Sequence, residues 1–384
     1  SFLMLQIGSL NQCNLYLPLS VFTATAKLFL LEEIMFSTYN LDDVTILLKD
    51  ISGLVKSQST EERERLIQSG RHYSEMLPIE YEPSPAYLKT YYTALDRYST
   101  ITAEAVGNVA NWIYADKGKE VVLVSLARAG TPIGILIKHY IEQKYHCKIK
   151  HYAISIIRGI GIDKNAMNYI LKHHNPQSIQ FVDGWTGKGA IQNQLNEAMK
   201  DYSDVDSGLA VLSDSAHIAD KYGTHEDFLI ASSCLNSTVS GLLSRTFLRS
   251  DIISKDDFHG AAFYSNLKDK DLTYQFINTI ESKFNFSKIY KNKTAVKDNS
   301  GLDEVFKIAK EFNISDINLI KPSIGEATRV LLRRLPWKIL VHSLADEEHL
   351  GHLYQLAKEK KVELIEYPLQ NYKACGLIRS LADT

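Results

Sequence analysis

Apolar residues recur along this chain with two periods, and the points where one gives way to the other mark the elements. Val121 to Leu126 is an apolar run of strand length, repeated at His151 to Ile157, at Ile179 to Val182 just before Asp183, and at Leu209 to Asp214. Between these runs, Ile133 to Gln143, Lys164 to His173 and the segment from Ala190 space their apolar residues by three and four. In the last of them Ile191, Leu195 and Met199 form one stripe. Short apolar strands alternating with helices predict an α/β fold, a parallel sheet covered on both faces. Upstream, Leu41 to Val55, Glu61 to Gln68 and the long stretch Ala86 to Tyr114 are predicted helices. Downstream, a helix is predicted from near Thr238, with Arg245 and Arg249 at i and i+4, and another over Tyr274 to Phe284.

After Gly301 the alternation starts again. Leu302 to Phe312, Gly325 to Leu335 and Glu347 to Lys361 are predicted helices, and Ile317 to Lys321, Lys338 to Leu344 and Val362 to Pro368 predicted strands. That suffices for a small second α/β domain. The expected boundaries are an N-terminal extension over 1–38, a first domain over 39–285, a lysine- and asparagine-rich linker over 286–300 and a second domain over 301–384. The extension is apolar but interrupted by Asn11, Gln12, Asn14 and Pro18, without the basic start of a signal peptide or the unbroken length of a membrane span. Met35 would be a more natural start, which leaves the residues before it as either an extension or a non-native addition.

Composition narrows the classes. Hydrophobic residues at 45% and charged residues at 23% are globular values, and a net charge of −2 gives no global reason to expect a polyanionic partner. From Phe286 onward the balance turns, with 16 Lys+Arg against 13 Asp+Glu. The four cysteines, Cys13, Cys147, Cys234 and Cys375, are far apart and lack CxxC spacing. This argues against a zinc site or a disulfide framework and suits a reducing cytoplasm, with no membrane partner.

Two loops carry candidate chemistry. In IQFVDGWTGKGAI a strand ends at Asp183 and a glycine-rich turn, Gly184 to Gly189, opens a helix. Free amides at a helix N-terminus suit a phosphate, and Thr186 and Lys188 add further donors. The spacing is not that of a Walker A loop: two residues, not four, separate Gly184 from Gly187. The second loop, SLARAGTPIG, also joins a strand to a helix, with Arg128 among small residues and Pro132 suited to a first helical position. Helix-start amides beside a guanidinium suit a pyrophosphate. A plain tight turn is the bland reading of each loop. A sugar phosphorylated at both ends would use both.

Together with GRHYSEMLP, HYAISIIRGIGID and LNSTVSGLLSRT, these loops resemble the phosphoribosyltransferase-like domain of bacterial tellurite-resistance and stress-response clusters, some members of which carry a cysteine-protease label. The resemblance spans about Tyr39 to Phe284. It implies phosphoribosyl pyrophosphate or a related phosphorylated ribose as ligand and transfer of ribose phosphate to a base-like or RNA-linked acceptor. Mg2+ would arrive on the pyrophosphate, without direct protein ligands. Asp183 would face the ribose, and the amides of Thr186, Gly187, Lys188 and Gly189 the 5-phosphate. Arg128 would take the pyrophosphate with Ala129, Gly130 and Thr131, and Arg158 would close over the site. Gly184 stands where the transferases carry a second acid.

The stretch INLIKPSIGEATRVLLRRLPWKILV is similar to the pelota-type RNA-binding domain. Glu326, Thr328 and Arg329 match that family's signature, while Gly325 replaces its asparagine. The resemblance implies an RNA partner met by Glu326 and Thr328, with Lys321, Arg329 and Arg333 on phosphates. Two alternatives stay open. One is a non-catalytic sensor of a phosphorylated ribose or nucleotide and RNA. The other is a cysteine protease built on Cys234 with His217, His225 or His259, although Ser237 and Thr238 beside it suit a helix cap. A homo-oligomer is allowed.

Overall fold

The run Val122–Leu126 (β2) is buried at every position, which a strand achieves only with helices on both its faces. In the computed structural model, residues 36–288 and 297–379 are described, together with a short strand pair, Phe2–Leu3 with Leu17–Pro18. The remainder of the N-terminal extension and linker residues 289–296 lie outside the described residues. Six parallel strands form the main sheet: Thr45–Ile46 (β1), β2, Lys150–Ile154 (β3), Ile179–Val182 (β4), Leu209–Ser213 (β5) and Lys221–Thr224 (β6), in the order β6-β5-β4-β2-β3-β1.

Alternate residues of these strands enter opposite layers. Leu123, Ala153, Val182, Ala210 and Leu212 pack with Pro85–Lys117 (α2), Gly130–Tyr145 (α3) and Thr273–Glu281 (α6). Val122, Val124, Phe181 and Val211 pack on the other side with Lys164–His173 (α4) and Ala190–Ala198 (α5), through Met167, Ile170 and Leu195. Each such aliphatic side chain contributes roughly 1.5–3 kcal/mol when fully buried. α2 starts at Pro85 behind the Ser84 cap and continues to Lys117, enclosing the predicted span. Among the described residues no helix is long and apolar enough to cross a membrane.

Three predictions need correction. Leu41 to Val55 is not helical: Thr45–Ile46 and Lys49–Asp50 are short strands, and Leu47 N–H donates to Ala153 O at 3.0 Å. The free edge of β3 captures this segment, and its β-branched Val44, Thr45 and Ile46 suit a strand better than a helix. The helix from Thr238 is also absent. Only a turn over Ser237–Val239 forms, because Gly241 and Leu242 have φ of 69° and 56°, outside helical space. His151 to Ile157 divides, with Ile156–Ile157 leaving the sheet to pair with Gly161–Ile162 in a hairpin that carries Arg158.

The C-terminal part forms its own sheet from Ile320–Pro322 (β7), Pro336–Val341 (β8), Glu363–Glu366 (β9) and Ala374–Ile378 (β10), ordered β7-β10-β8-β9. Helices Ser300–Glu311 (α7), Ile324–Arg333 (α8) and Glu347–Lys360 (α9) accompany it. α8 is also part of the first domain's core: Ile324, Ala327, Val330 and Leu331 share one apolar cluster with Ala231, Cys234 and Leu235. The buried Asp227 carboxylate accepts from Ile324 N–H at 3.0 Å and Lys373 N–H at 2.9 Å, so a first-domain residue anchors the start of α8.

Behind the sheet, His139 lies between Asp43 at 2.7 Å and Glu281 at 3.0 Å. Burial alone would lower its pKa, but bonds to the two carboxylates outweigh this and raise it from 6.5 to about 9. The raised value means that the contribution is fully present below pH 6.5 and lost as pH rises through 9. On the order of 2 kcal/mol should disappear across that window. Denaturant melts of the parent and His139→Asn at pH 6 and pH 9.5 check this. The difference between the two proteins should shrink at the higher pH, and an equal difference at both would be contrary.

Candidate functional site

β2 and β4 are neighbours, with Ser125 opposite Val182, so the loops that follow them open at one edge of the sheet. They touch. A Cβ on Gly130 would lie 2.8 Å from Val182 O and 3.2 Å from Asp183 Cα, so only glycine fits. Arg128 extends from its loop across the edge, donating to Leu243 O at 2.9 Å and Asn236 Oδ1 at 2.7 Å, both neutral acceptors. Ala129 lines the space between the loops, whereas Thr131 is wholly buried, its hydroxyl without a partner. Asp183 Oδ1 accepts from Gly184 N–H at 2.8 Å, and burial pushes the carboxyl up to about 6.

Several polar groups of the glycine-rich loop are bonded within the protein. Thr186 N–H donates to Ser213 O at 2.9 Å and its hydroxyl to Asp214 at 2.7 Å. Lys188 Nζ donates to Ile317 O and Ile320 O of the second domain at 2.5 and 2.7 Å, and Gly187 O accepts from the Tyr372 hydroxyl at 2.6 Å. Burial and the nearby Arg158 charge lower Lys188 to about 8. The second domain thus takes up the Lys188 ammonium, and Ser213 and Asp214 of the first domain take up Thr186. Arg158 lies over the Tyr73 ring at 5.9 Å and lines a cavity of about 210 Å³ with Asp183, Lys188 and Gly189.

The signature residues of the second domain divide. Thr328 points away from the cleft, its hydroxyl bonded to Ile324 O at 2.7 Å and to His352 at 3.0 Å. Gly325 is buried between Ser233 and Trp185, and Arg333 donates to Leu235 O at 2.5 Å. Lys321, Glu326 and Arg329 face the first domain. Trp185 Nε1 donates to Glu326 at 3.3 Å, Arg329 lies 4.9 Å over the indole, and Arg329 pairs with Glu326 at 3.2 Å.

Next to this contact is a cavity of about 480 Å³ between the domains. Arg63, Arg128 and Arg245 line it from the first domain and Lys321, Arg329, Arg333 and Arg334 from the second, against the carboxylates of Glu80, Glu82 and Glu326. Arg334 is paired with Glu64 at 3.0 Å, and Glu80 accepts from Ser237 N–H and Oγ. The other cations crowd one another. Burial and the charge on Arg63 lower Arg245 to about 9, while burial and Lys188 lower Lys321 to about 7. Burial, Arg329 and Arg128 lower Arg333 well below the usual range. The Nε atoms of Arg63 and Arg329 and the Thr238 hydroxyl are buried without a partner. Buried positive charge in excess of the carboxylates around it favours an anion.

Sequence reasoning missed Arg63, Tyr73 and Glu80. Arg63 belongs to the charged helix Thr60–Gln68 (α1) and Tyr73 to the GRHYSEMLP stretch, neither of which supplied a candidate site residue. The tyrosine of HYSEM was the available signal: an aromatic between polar residues, now stacked with Arg245 at 4.6 Å.

Comparison with known proteins bears on the same regions. Residues 37–281 match the model of the tellurite-like stress resistance cysteine protease StiP family, and residues 299–380 that of the PELOTA RNA binding domain. The cysteine protease StiP of Acinetobacter baylyi is 36% identical over 372 residues, covering 92% of this chain and 96% of the relative. The chain belongs to the StiP family. Among solved structures, a hypoxanthine-guanine phosphoribosyltransferase from Bacillus anthracis aligns with a TM-score of 0.26 at 15% identity, over 33% of this chain and 77% of that one. The hypoxanthine phosphoribosyltransferase of Trypanosoma cruzi aligns with 0.27 at 14%, over 34% and 78%. Likeness at that level carries no functional argument. The expectation of a phosphoribosyltransferase is therefore corrected: the family, and the relative matched over 92% of this chain, bear a protease name.

Proposed function

We propose that this protein binds a phosphate-bearing ribose compound, such as phosphoribosyl pyrophosphate, a nucleotide or RNA, in the cleft between its domains and acts as a cytoplasmic sensor of it. The observation that carries this reading is the set of six cationic side chains, besides the Glu64-paired Arg334, facing three carboxylates around about 480 Å³, with two guanidinium Nε atoms buried and unpartnered. A pocket of that size suits a ligand of one or two nucleotides. Magnesium enters only as an ion carried by the ligand's phosphates. Among the described residues no group of three or more His, Cys, Asp or Glu could hold a metal ion. Calorimetry with phosphoribosyl pyrophosphate and nucleoside triphosphates should give saturable binding without pyrophosphate release. No binding of any of them would end this reading.

Peptide cleavage at Cys234 is the second reading, favoured by the name of the family and by the position of this cysteine on the cleft wall. Its thiol is poorly prepared as it stands. Burial pushes Cys234 up to about 12, against the opposing charge of Arg333. The histidines proposed from sequence are engaged elsewhere: His217 and His225 stack at 3.9 Å, and His259 bonds Ser155 at 2.8 Å. At pH 8 the native thiol should react with iodoacetamide about three orders of magnitude more slowly than an exposed cysteine. Fast labelling, with peptidase activity lost in Cys234→Ala, would favour the protease.

A further inference from the structure

The segment that matches an RNA-binding domain turns its charged helix inward. Glu326 and Arg329 of α8, with Lys321 of the preceding strand, line the same cavity as Arg63, Arg128 and Arg245 of the first domain. Gly325, Ala327 and Thr328 of that helix are buried, so no paired nucleic-acid helix can lie along this face. Any RNA group that reaches Glu326 and Arg329 must enter a cavity of about 480 Å³, and only one or two nucleotides fit such a space.

We infer that the two domains build a single RNA site, which takes the phosphorylated end of an unpaired strand. The inference rests on the cleft-binding reading and names its ligand. The cleft has the two kinds of surface that an unpaired end needs. For a terminal phosphate it offers cations from both domains, with the Nε atoms of Arg63 and Arg329 still unpartnered. For an unstacked base it offers aromatic rings: Tyr81 and Tyr87 line the cavity, and Tyr81 is 65% exposed. Stacking on such rings is tolerant of sequence, so the terminal phosphate, and not the base order, decides affinity. A terminal monoester also carries more charge than an internal phosphodiester, which suits a pocket whose arginines are crowded and desolvated.

Fluorescence anisotropy on the full chain tests this with labelled eight-nucleotide single-stranded RNAs bearing a phosphate or a hydroxyl at either end, and with a blunt duplex of the same sequence. A strand phosphorylated at one end should bind at least tenfold more tightly than its hydroxyl counterpart and than the duplex. Arg128→Ala and Arg329→Ala should each remove at least tenfold of that affinity, and the corresponding lysine variants should recover part of it. Thermal melting shows that each variant is folded. Equal binding of duplex and strand, indifference to the terminal phosphate, or tighter binding by Arg329→Ala would overturn the inference. If pyrophosphate or nucleotides bind while the RNA ends do not compete, the RNA assignment fails and the cleft reading stands. If nothing phosphorylated binds, both fail.

Discussion

Asp227→Ala should melt below the parent protein, by an amount on the order of 2–6 °C for a loss of about 2–5 kcal/mol. Asp227 is 4% exposed, and its carboxylate holds two backbone amides across the domain boundary, Ile324 N–H and Lys373 N–H. Burial pushes this carboxyl up to about 7, against the pull of those amides. The alanine variant leaves both N–H groups buried without an acceptor, each costing about 1–3 kcal/mol. It also removes the anchor at the N-terminus of α8, where a carboxylate complements the helix dipole. Asp227→Asn keeps one acceptor oxygen and should fall between the two. Melting followed by circular dichroism checks the order. An alanine variant with the parent's transition would mean that the second domain is seated by its apolar contacts alone.

The second large effect has opposite signs for stability and binding. Arg245 lies 4.6 Å from the Tyr73 ring, and burial together with Arg63 lowers it to about 9, so its charge is costly in the free protein. Arg245→Met keeps much of the packing and removes the charge. It should melt at or above the parent temperature while losing about 10–100-fold of affinity for a phosphate ligand, the scale of one charged hydrogen bond. A lower melting point with unchanged affinity would show Arg245 to be a structural residue.

Much of the fold was legible because its signals are local. The runs around Leu123, Phe181 and Val211 are continuous and apolar, and the glycine turns after Leu126 and Val182 announce the loops that do lie side by side. What was missed depends on partners distant in sequence. Val44 to Ile46 become a strand only because β3 has a free edge, and the segment after Thr238 loses its helix to the left-handed pair Gly241 and Leu242. β6 and β10 are short or end-of-chain runs without a strong periodicity of their own, yet β10 is a middle strand of the second sheet. The loop motif around Asp183 suggested a sugar phosphate, but no local pattern could reveal that Lys188 and Gly187 are met by Ile320 and Tyr372, more than a hundred residues away. The inward turn of Glu326 and Arg329 onto Trp185 was hidden for the same reason.

The central claim is that residues of both domains form one anion site, and inorganic pyrophosphate is the plainest probe of it. Calorimetric titration should find one equivalent bound per chain, with affinity reduced at least tenfold by Arg128→Ala in the first domain and, separately, by Arg329→Ala in the second. Two equivalents per chain, or a full-affinity site in either variant, would contradict a shared cleft.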